Sequence, residues 1–306
     1  MGKEMSEPQP RQFTHPASAN EFIEQQLHEG ILKIERLFDA DAISINGPIL
    51  FGLDDSLRFL IEDKNSQDPQ RDKLVVVLTT TGGYIEVVQR IVAIFRKHYK
   101  LVDFIIPNYA YSAGTVLAMS GDAIHMDYYS RLGPIDPQIE TEHGRGVSAL
   151  GYLERYNDLI KKAGKNEIST AEVQLMIHGF DQGELYAWEQ ARELSITLLK
   201  EWLVQYKFKN WKKTRTRGRR VTSAMKQMRA AAIAKQLNNT KKWHVHGHGI
   251  SMDVLTRDLR LQIDDFEKNT AMRDAIKEYH SLFTDYMTKT RGNAAAHIAG
   301  DYRRTF

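Results

Sequence analysis

Between Lys73 and Thr79 the chain runs Leu74-Val75-Val76-Val77-Leu78 without a polar break, and it then stops on Gly82-Gly83. An apolar run of that kind predicts a strand buried on both faces, the pattern of a parallel sheet. In YIEVVQRIVAIFRKH the apolar positions Ile85, Val88, Ile91, Val92 and Phe95 fall at helical spacing, so strand, glycine turn and helix follow one another. The order then repeats. LVDFIIP reads as a strand, YSAGTVLAMSGD opens after a proline break and continues as an apolar helix to about Met119, and DAIHMD reads as a short strand. Upstream, Phe22, Leu27, Ile31, Ile34 and Leu37 mark an amphipathic helix, and AISINGPILFGL reads as a strand, a turn and the start of a helix. Repeated strand, turn and helix predict an α/β layered fold.

Beyond Asp136 the period changes. GYLERYNDLIKKAGK, the stretch from Ser169 to Tyr206, VTSAMKQMRAAAIAKQLNNT and DFEKNTAMRDAIKEYHSLFTDYMTK all carry helical patterns. Within the second of these, Gly179 stops one helix and Asp181 starts the next, so His178 and Asp181 read as a break and a cap and not as a catalytic pair. The expected organisation is a flexible tail over 1–18, an α/β core with its N-terminal helix over 19–140, a helical extension completing the fold over 141–288, and a second flexible tail over 289–306.

Composition narrows the chemistry. The 306 residues, 42% hydrophobic and 26% charged, are those of a soluble globular chain. With no cysteine there is no disulfide, no thiolate nucleophile and no Cys-ligated zinc, so any nucleophile is oxygen or nitrogen. No apolar leader and no membrane-length apolar segment is present in the sequence, which makes the cytoplasm the expected location. Net charge is +3, yet residues 207–220 hold eight Lys/Arg and no acid, leaving −5 on the remainder. Phe208 and Trp211 lie among those cations, an arrangement that could neutralise phosphates and stack on bases; the preferred reading is a solvated basic loop.

Two strand-to-helix junctions carry the candidate chemistry. Gly82-Gly83 ends the buried strand where a helix begins, so its amides can point into a crevice at the positive end of a helix and receive an oxyanion or phosphate. Ser112-Ala113-Gly114 forms the other junction, with Ser112 expected to be exposed at the carboxyl edge of the same sheet and the small residues admitting a substrate backbone. A helix N-cap and a simple turn are the plain alternatives for these residues.

TTTGGYIEVVQRI, YSAGTVLAMSGDAIHMDYYSRLGPIDPQI, FDQGELYAWEQARELS, WLVQYKFKNW and KKWHVHGHGISMDVLTRDLRLQIDDF together resemble the serine dehydrogenase proteinase family, relatives of signal peptide peptidase A and more distantly of the Clp proteolytic subunit. The resemblance runs from about Ala42 to Phe266. It implies a Clp/crotonase-like β-β-α spiral with a mainly helical C-terminal half. It also implies a serine peptidase in which Ser112 is the nucleophile and the Gly82-Gly83 turn, chiefly the Gly83 amide, forms the oxyanion hole with Ala113.

A serine hydroxyl needs a base. Laid on the Clp pattern, Ile135 occupies the histidine position, and His125 belongs to the preceding strand. Peptidases of the signal peptide peptidase A type use a lysine, which implies Lys165 here, with Lys161 and Lys162 as neighbours; solvated charges at a helix end are the plain alternative. Asp136 is read as a turn cap in preference to an oxyanion-side residue. His244, His246 and His248 alternate like metal ligands, but Val245 and His248 depart from the related pattern and no acid is interleaved, so no metal and no cofactor is expected. The partners expected are a peptide or protein substrate and further copies of the chain. Two alternatives stand beside the peptidase: a catalytically silent scaffold subunit whose basic loop recruits nucleic acid or an acidic partner, and an acyl-CoA enzyme of crotonase type.

Overall fold

The computed structural model describes residues 18–67, 71–135, 138–140, 146–214, 216–243 and 249–304. In order, the elements are α1 (Ala19–Phe38), β1 (Asp41–Asn46), α2 (Leu53–Gln67), β2 (Lys73–Thr79), α3 (Ile85–His98), β3 (Leu101–Ile105), β4 (Tyr109–Ala110), α4 (Ala113–Met119), β5 (Ala123–Met126) and β6 (Arg131–Leu132). There follow β7 (Gln138–Glu140), β8 (Gly146–Ser148), α5 (Ala149–Gly164), α6 (Thr170–Gly179), α7 (Gln182–Trp202), α8 (Ser223–Leu237) and α9 (Thr240–Trp243). The chain closes with β9 (Ile250–Ser251), α10 (Met252–Arg257), β10 (Asp264–Asp265), α11 (Thr270–Lys289), β11 (Ala295–Ile298) and β12 (Asp301–Arg304).

The main sheet runs β10-β5-β3-β2-β1-β11-β12. Neighbours from β10 to β1 are parallel, and β11 and β12 are antiparallel. The apolar run of β2 explains its central place: Leu74, Val76 and Leu78 enter one core, while Val75 and Val77 enter the other. The first core is closed by α2, α3, α4, α7 and α8, the second by α1 and α11. Each of these fully buried aliphatic side chains contributes about 1.5–3 kcal/mol of burial. A small sheet, β4-β6-β9, sits beyond the carboxyl ends of β2 and β3 and extends the layer.

α5, α6 and the start of α7 stand apart on their own small core of Leu153 and Leu185, with Tyr156, Phe180 and Trp188 packed on it. None of the α6 residues is buried, and Leu175, Ile177 and Tyr186 face solvent. Asp181 caps α7 by accepting the Glu184 N–H at 2.9 Å, and the chain breaks at Gly179 as its sequence predicts.

The predicted tail over 1–18 lies outside the described residues except for Ser18, whose hydroxyl caps α1 by accepting from the Glu21 N–H. The tail predicted over 289–306 is a correction. Ala295–Ile298 joins the main sheet against β1 with all four residues buried, and Asp301–Arg304 pairs back on it. Small residues such as Ala295 and Ala296 fit there because the open edge of β1 supplies the partner that local preference lacks.

His297 in β11 is buried against Tyr279, whose hydroxyl meets its Nδ1 at 2.8 Å. Burial, assisted by nearby His28, pushes its pKa down to about 3 from 6.5. The folded protein therefore keeps His297 neutral while the unfolded chain takes up a proton below about pH 6.5, so stability present above that pH is lost as pH falls toward 3. The slope is about 1.4 kcal/mol per pH unit. Urea unfolding at pH 7 and pH 4.5 is expected to show a loss of about 2–3 kcal/mol from this group, and the His297→Phe variant a loss smaller by that amount. Equal losses in the two proteins would refute the assignment.

Candidate active site

The site begins with the continuation of β2. Thr80 bridges Ala110 in parallel, its N–H donating to Tyr109 O and its carbonyl accepting from the Tyr111 N–H, both at 3.0 Å. The Thr80 hydroxyl then accepts the Gly82 N–H at 3.0 Å and turns the chain. Gly82 and Gly83 adopt φ +106° and +149°, conformations that glycine tolerates and side chains resist. A second parallel bridge joins Ile49 to Gly83: Ile49 N–H donates to Gly82 O at 2.8 Å, and Tyr84 N–H to Ile49 O at 2.9 Å. In such a bridge the flanking residues make the bonds, so the amide of Gly83 is turned away from Ile49. Neither the Gly83 N–H nor the Ala113 N–H donates to another backbone group among the described residues.

Ser112 sits where β4 passes into α4, at φ 52° and ψ −122°. A non-glycine residue in that region holds about 1–3 kcal/mol of strain and persists only where the surroundings impose it. Those surroundings are visible. A methyl group built on Gly82 would lie 2.7 Å from the Ser112 Cβ, and one on Gly114 would lie 2.3 Å from Thr80 Cγ2. The two junctions therefore abut at the carboxyl edge of the sheet, and the small residues are the condition for it. Every residue of α4 is buried. The Thr115 hydroxyl lies 2.7 Å from Ala110 O and 3.0 Å from Gly133 O, and accepts the Gly133 N–H at 2.9 Å. It clamps the helix between the strand before it and the segment after β6.

Ser112 is only 6% exposed, so the exposure expected from sequence is corrected: the serine lies one layer down. Around it Thr81, Gly83 and Tyr84 face solvent and Tyr111 is half-buried. Two aromatic pairs rim the region, Phe51 on Tyr84 with ring centres 4.7 Å apart and Tyr109 stacked on Tyr111 at 5.0 Å. Burial raises the Tyr111 phenol above its ordinary range. Phe51, Tyr84, Thr115 and Ile49 were not singled out from sequence. Tyr84 and Thr115 are signalled only by their closeness in the chain to Gly83 and Ser112; Ile49 and Phe51, about thirty residues earlier than Gly83, carry no sequence signal for the site and are brought in by the bridge to Gly83.

The other candidates are placed as follows. Ile135 is buried in the main core, with its N–H on Leu237 O. His125 lies on β5 against Phe38, its Nε2 3.5 Å from Asp103, a contact that occupies it away from the serine. Lys161 pairs with Asp158 at 3.8 Å, and Lys162 with Glu172 at 2.6 Å, a bond that holds the Glu172 carboxyl well below its usual range. Lys165 follows α5 with its side chain in solvent. No ion pair or hydrogen bond between described residues joins any of the three to Ser112 within one chain. Asp136, His244, His246 and His248 lie outside the described residues. Among the described residues no cluster of three or more His, Asp or Glu could hold a metal ion, and no helix is long and apolar enough to cross a membrane.

A parallel sheet that delivers a strained serine and a glycine turn to one edge, with helices wound over both faces, has the α/β fold of the ClpP-like class. Residues 43–224 match the model of the ClpP-like SDH-type serine proteinases, and the chain belongs to that family. Two uncharacterized proteins of Methanocaldococcus jannaschii, MJ0137 and MJ1495, are each 34% identical to it over 71 residues, 23% of this chain. The matched stretch spans about a quarter of their length, 25% and 24%. Among solved structures, the 1510-N membrane-bound stomatin-specific protease in complex with a substrate peptide is similar at 15% identity, with 86% of this chain and 85% of that one covered and a TM-score of 0.44. ClpP1 from Listeria monocytogenes is similar at 18% identity over 36% of this chain and 64% of its own, with a TM-score of 0.29.

Proposed function

We propose that the protein is a cytoplasmic serine peptidase that cleaves peptide bonds through Ser112. The conformation of Ser112 carries the reading: a serine held at positive φ against Gly82, with the Gly83 amide turned out of its bridge, suits an acyl-transfer nucleophile beside an oxyanion donor. In this mechanism Ser112 Oγ attacks the scissile carbonyl and loses its proton to the base. The Gly83 and Ala113 N–H groups stabilise the tetrahedral oxyanion. The base then returns the proton to the leaving amine, and water releases the acyl group.

The base is assigned to the lysines at the end of α5, Lys165 first, because Lys161 and Lys162 each have an acidic partner. Lys165 serves only when closure of the α5–α6 unit, from its own chain or a neighbouring copy, desolvates its amine. The uncovered apolar residues of α6 support a homo-oligomer in which such closure occurs. The scaffold reading has one observation in its favour: Lys161 and Lys162 pair with Asp158 and Glu172, and no hydrogen bond or ion pair between described residues joins these lysines to Ser112.

A fluorophosphonate probe decides between them. On protein sized by sedimentation velocity, the expected result is an oligomer whose adduct maps to Ser112 and is lost in Lys165→Met. Oligomeric protein that remains unlabelled favours the scaffold. A labelled Lys165→Met variant moves the base elsewhere.

A further inference from the structure

The basic stretch over 207–220 divides in the structure. Lys207 ends a π-helical turn, Leu203–Lys207, and its amine lies near Asp264, Asp103 and Asp122; burial pushes its pKa down to about 8. Lys209 pairs with Asp122 at 3.1 Å. Phe208 is 9% exposed within the main core, and half-buried Trp211 packs edge-on against it at 5.7 Å. The two aromatics are therefore the root of the segment and are not free to stack on bases.

Beyond that root the chain turns back on itself. Val221 N–H donates to Lys212 O and Thr214 N–H to Arg219 O, both at 2.9 Å, and Lys213 bridges Arg220 in antiparallel register. Gly218 at φ +60° makes the turn, and the Arg219 N–H is held by the Thr214 hydroxyl at 3.0 Å. Thr222 then caps α8. The result is a short ribbon anchored in the core on one side and in a helix on the other, which overcomes the marginal stability of an isolated hairpin.

Lys212, Lys213, Arg217, Arg219 and Arg220 all project into solvent on this ribbon. None has an ion-pair partner among the described residues. Surface cations elsewhere are commonly paired, as in Lys33 with Glu278 and Lys100 with Asp72. The bridge between Lys213 and Arg220 sets two like charges directly opposite, which is destabilising until an anion lies between them.

We propose that this ribbon is a docking site for double-stranded DNA, held through its phosphates without sequence preference. Three of the five cations are arginines, whose planar forks bind phosphate in bidentate fashion. A two-stranded ribbon is also an element that the major groove of B-form DNA admits. The burial of Phe208 and the packing of Trp211 remove the base-stacking platforms that single strands use, and the ribbon carries no aromatic or long aliphatic side chain to enter a lipid surface. The root of the ribbon is held at Lys209 by Asp122, at the amino ends of β3 and β5, whereas Ser112 lies at the carboxyl edge. Docking there leaves the candidate active site open, and the proposal does not depend on the chemistry of Ser112.

The test is fluorescence anisotropy of a labelled duplex DNA of about 20 base pairs with the full chain over a salt series. With four or five phosphates neutralised, the logarithm of the binding constant is expected to fall against log salt with a slope of about −4. The quadruple variant Lys212→Gln, Lys213→Gln, Arg219→Gln, Arg220→Gln is expected to bind at least tenfold more weakly with a much shallower slope. Lys33→Gln with Lys289→Gln should match wild type. If the quadruple variant fails to fold, as read by circular dichroism, Arg217→Glu at the turn is expected to weaken binding about threefold or more. Undiminished binding in the folded variants, tighter binding of a single strand of equal length, or binding of phosphatidylserine vesicles without binding of the duplex would each overturn the proposal.

Discussion

Ser112→Gly and Ser112→Ala are both expected to lose fluorophosphonate labelling and peptide hydrolysis completely, yet the glycine variant should be the more stable of the two. Alanine keeps the Cβ and with it the strain of φ 52° and ψ −122°; glycine removes it. The strain is worth about 1–3 kcal/mol, and glycine gives back about 0.5–1 kcal/mol in backbone entropy. The net expectation is about 1 kcal/mol in favour of glycine, a rise in melting temperature of about 2 °C over the alanine variant. Differential scanning calorimetry of the pair measures it. A glycine variant that melts with or below the alanine variant would show that the serine conformation is not strained. Residual labelling at another position would remove Ser112 from the nucleophile role.

Gly83→Ala should be the most damaging of the Gly→Ala changes among the described residues, with the closest approach of an added methyl to a backbone atom. Its Cβ would lie 2.0 Å from Ile49 O and 2.7 Å from Ile49 C, and the backbone holds φ +149°. Neither neighbour can move freely, because the same Ile49 carbonyl accepts the Tyr84 N–H and the same residue donates to Gly82 O. Relief therefore costs the bridge, at about 1 kcal/mol for each hydrogen bond in addition to the backbone penalty, or roughly 3 kcal/mol or more in all. Hydrolysis should disappear as well, since the displaced turn carries the amide proposed to receive the oxyanion. Gly151→Ala is the internal control: it lies in α5 with nothing within 4 Å of the added methyl, and is expected to be neutral or stabilising by about 0.5–1 kcal/mol. Similar urea midpoints for the two variants would mean that the Ile49 bridge does not constrain the turn.

How far these features could be read from the chain depends on how local their causes are. The apolar run ending at Gly82-Gly83 declares β2 and its turn because a doubly buried strand leaves no room for polar alternation. The break at Gly179 and the cap at Asp181 are likewise decided within a few residues. β11 could not be read that way: Ala295, Ala296 and His297 have little strand character, and only the free edge of β1 makes them a strand. The depth of Ser112 is also a property of the fold, since it depends on Gly82 arriving from another strand. The same holds for Phe208 and Trp211, which the sequence places among cations and the packing turns toward the core. Charges, by contrast, were legible in number but not in pairing; Lys162 finds Glu172 only once α5 and α6 lie side by side.

The pairing of β11 with β1 sets the order in which the molecule can be completed. Ile298 lies opposite Ile43, about 250 positions earlier in the chain. Until Ala295–Ile298 is in place β1 presents an open edge, and closing so long a loop adds an entropic cost that grows slowly with its length. Chains cut before Ala295 should therefore accumulate as sticky, edge-exposed species, whereas with β11 and β12 in place the edge passes to Asp301–Arg304, whose charged side chains discourage further pairing.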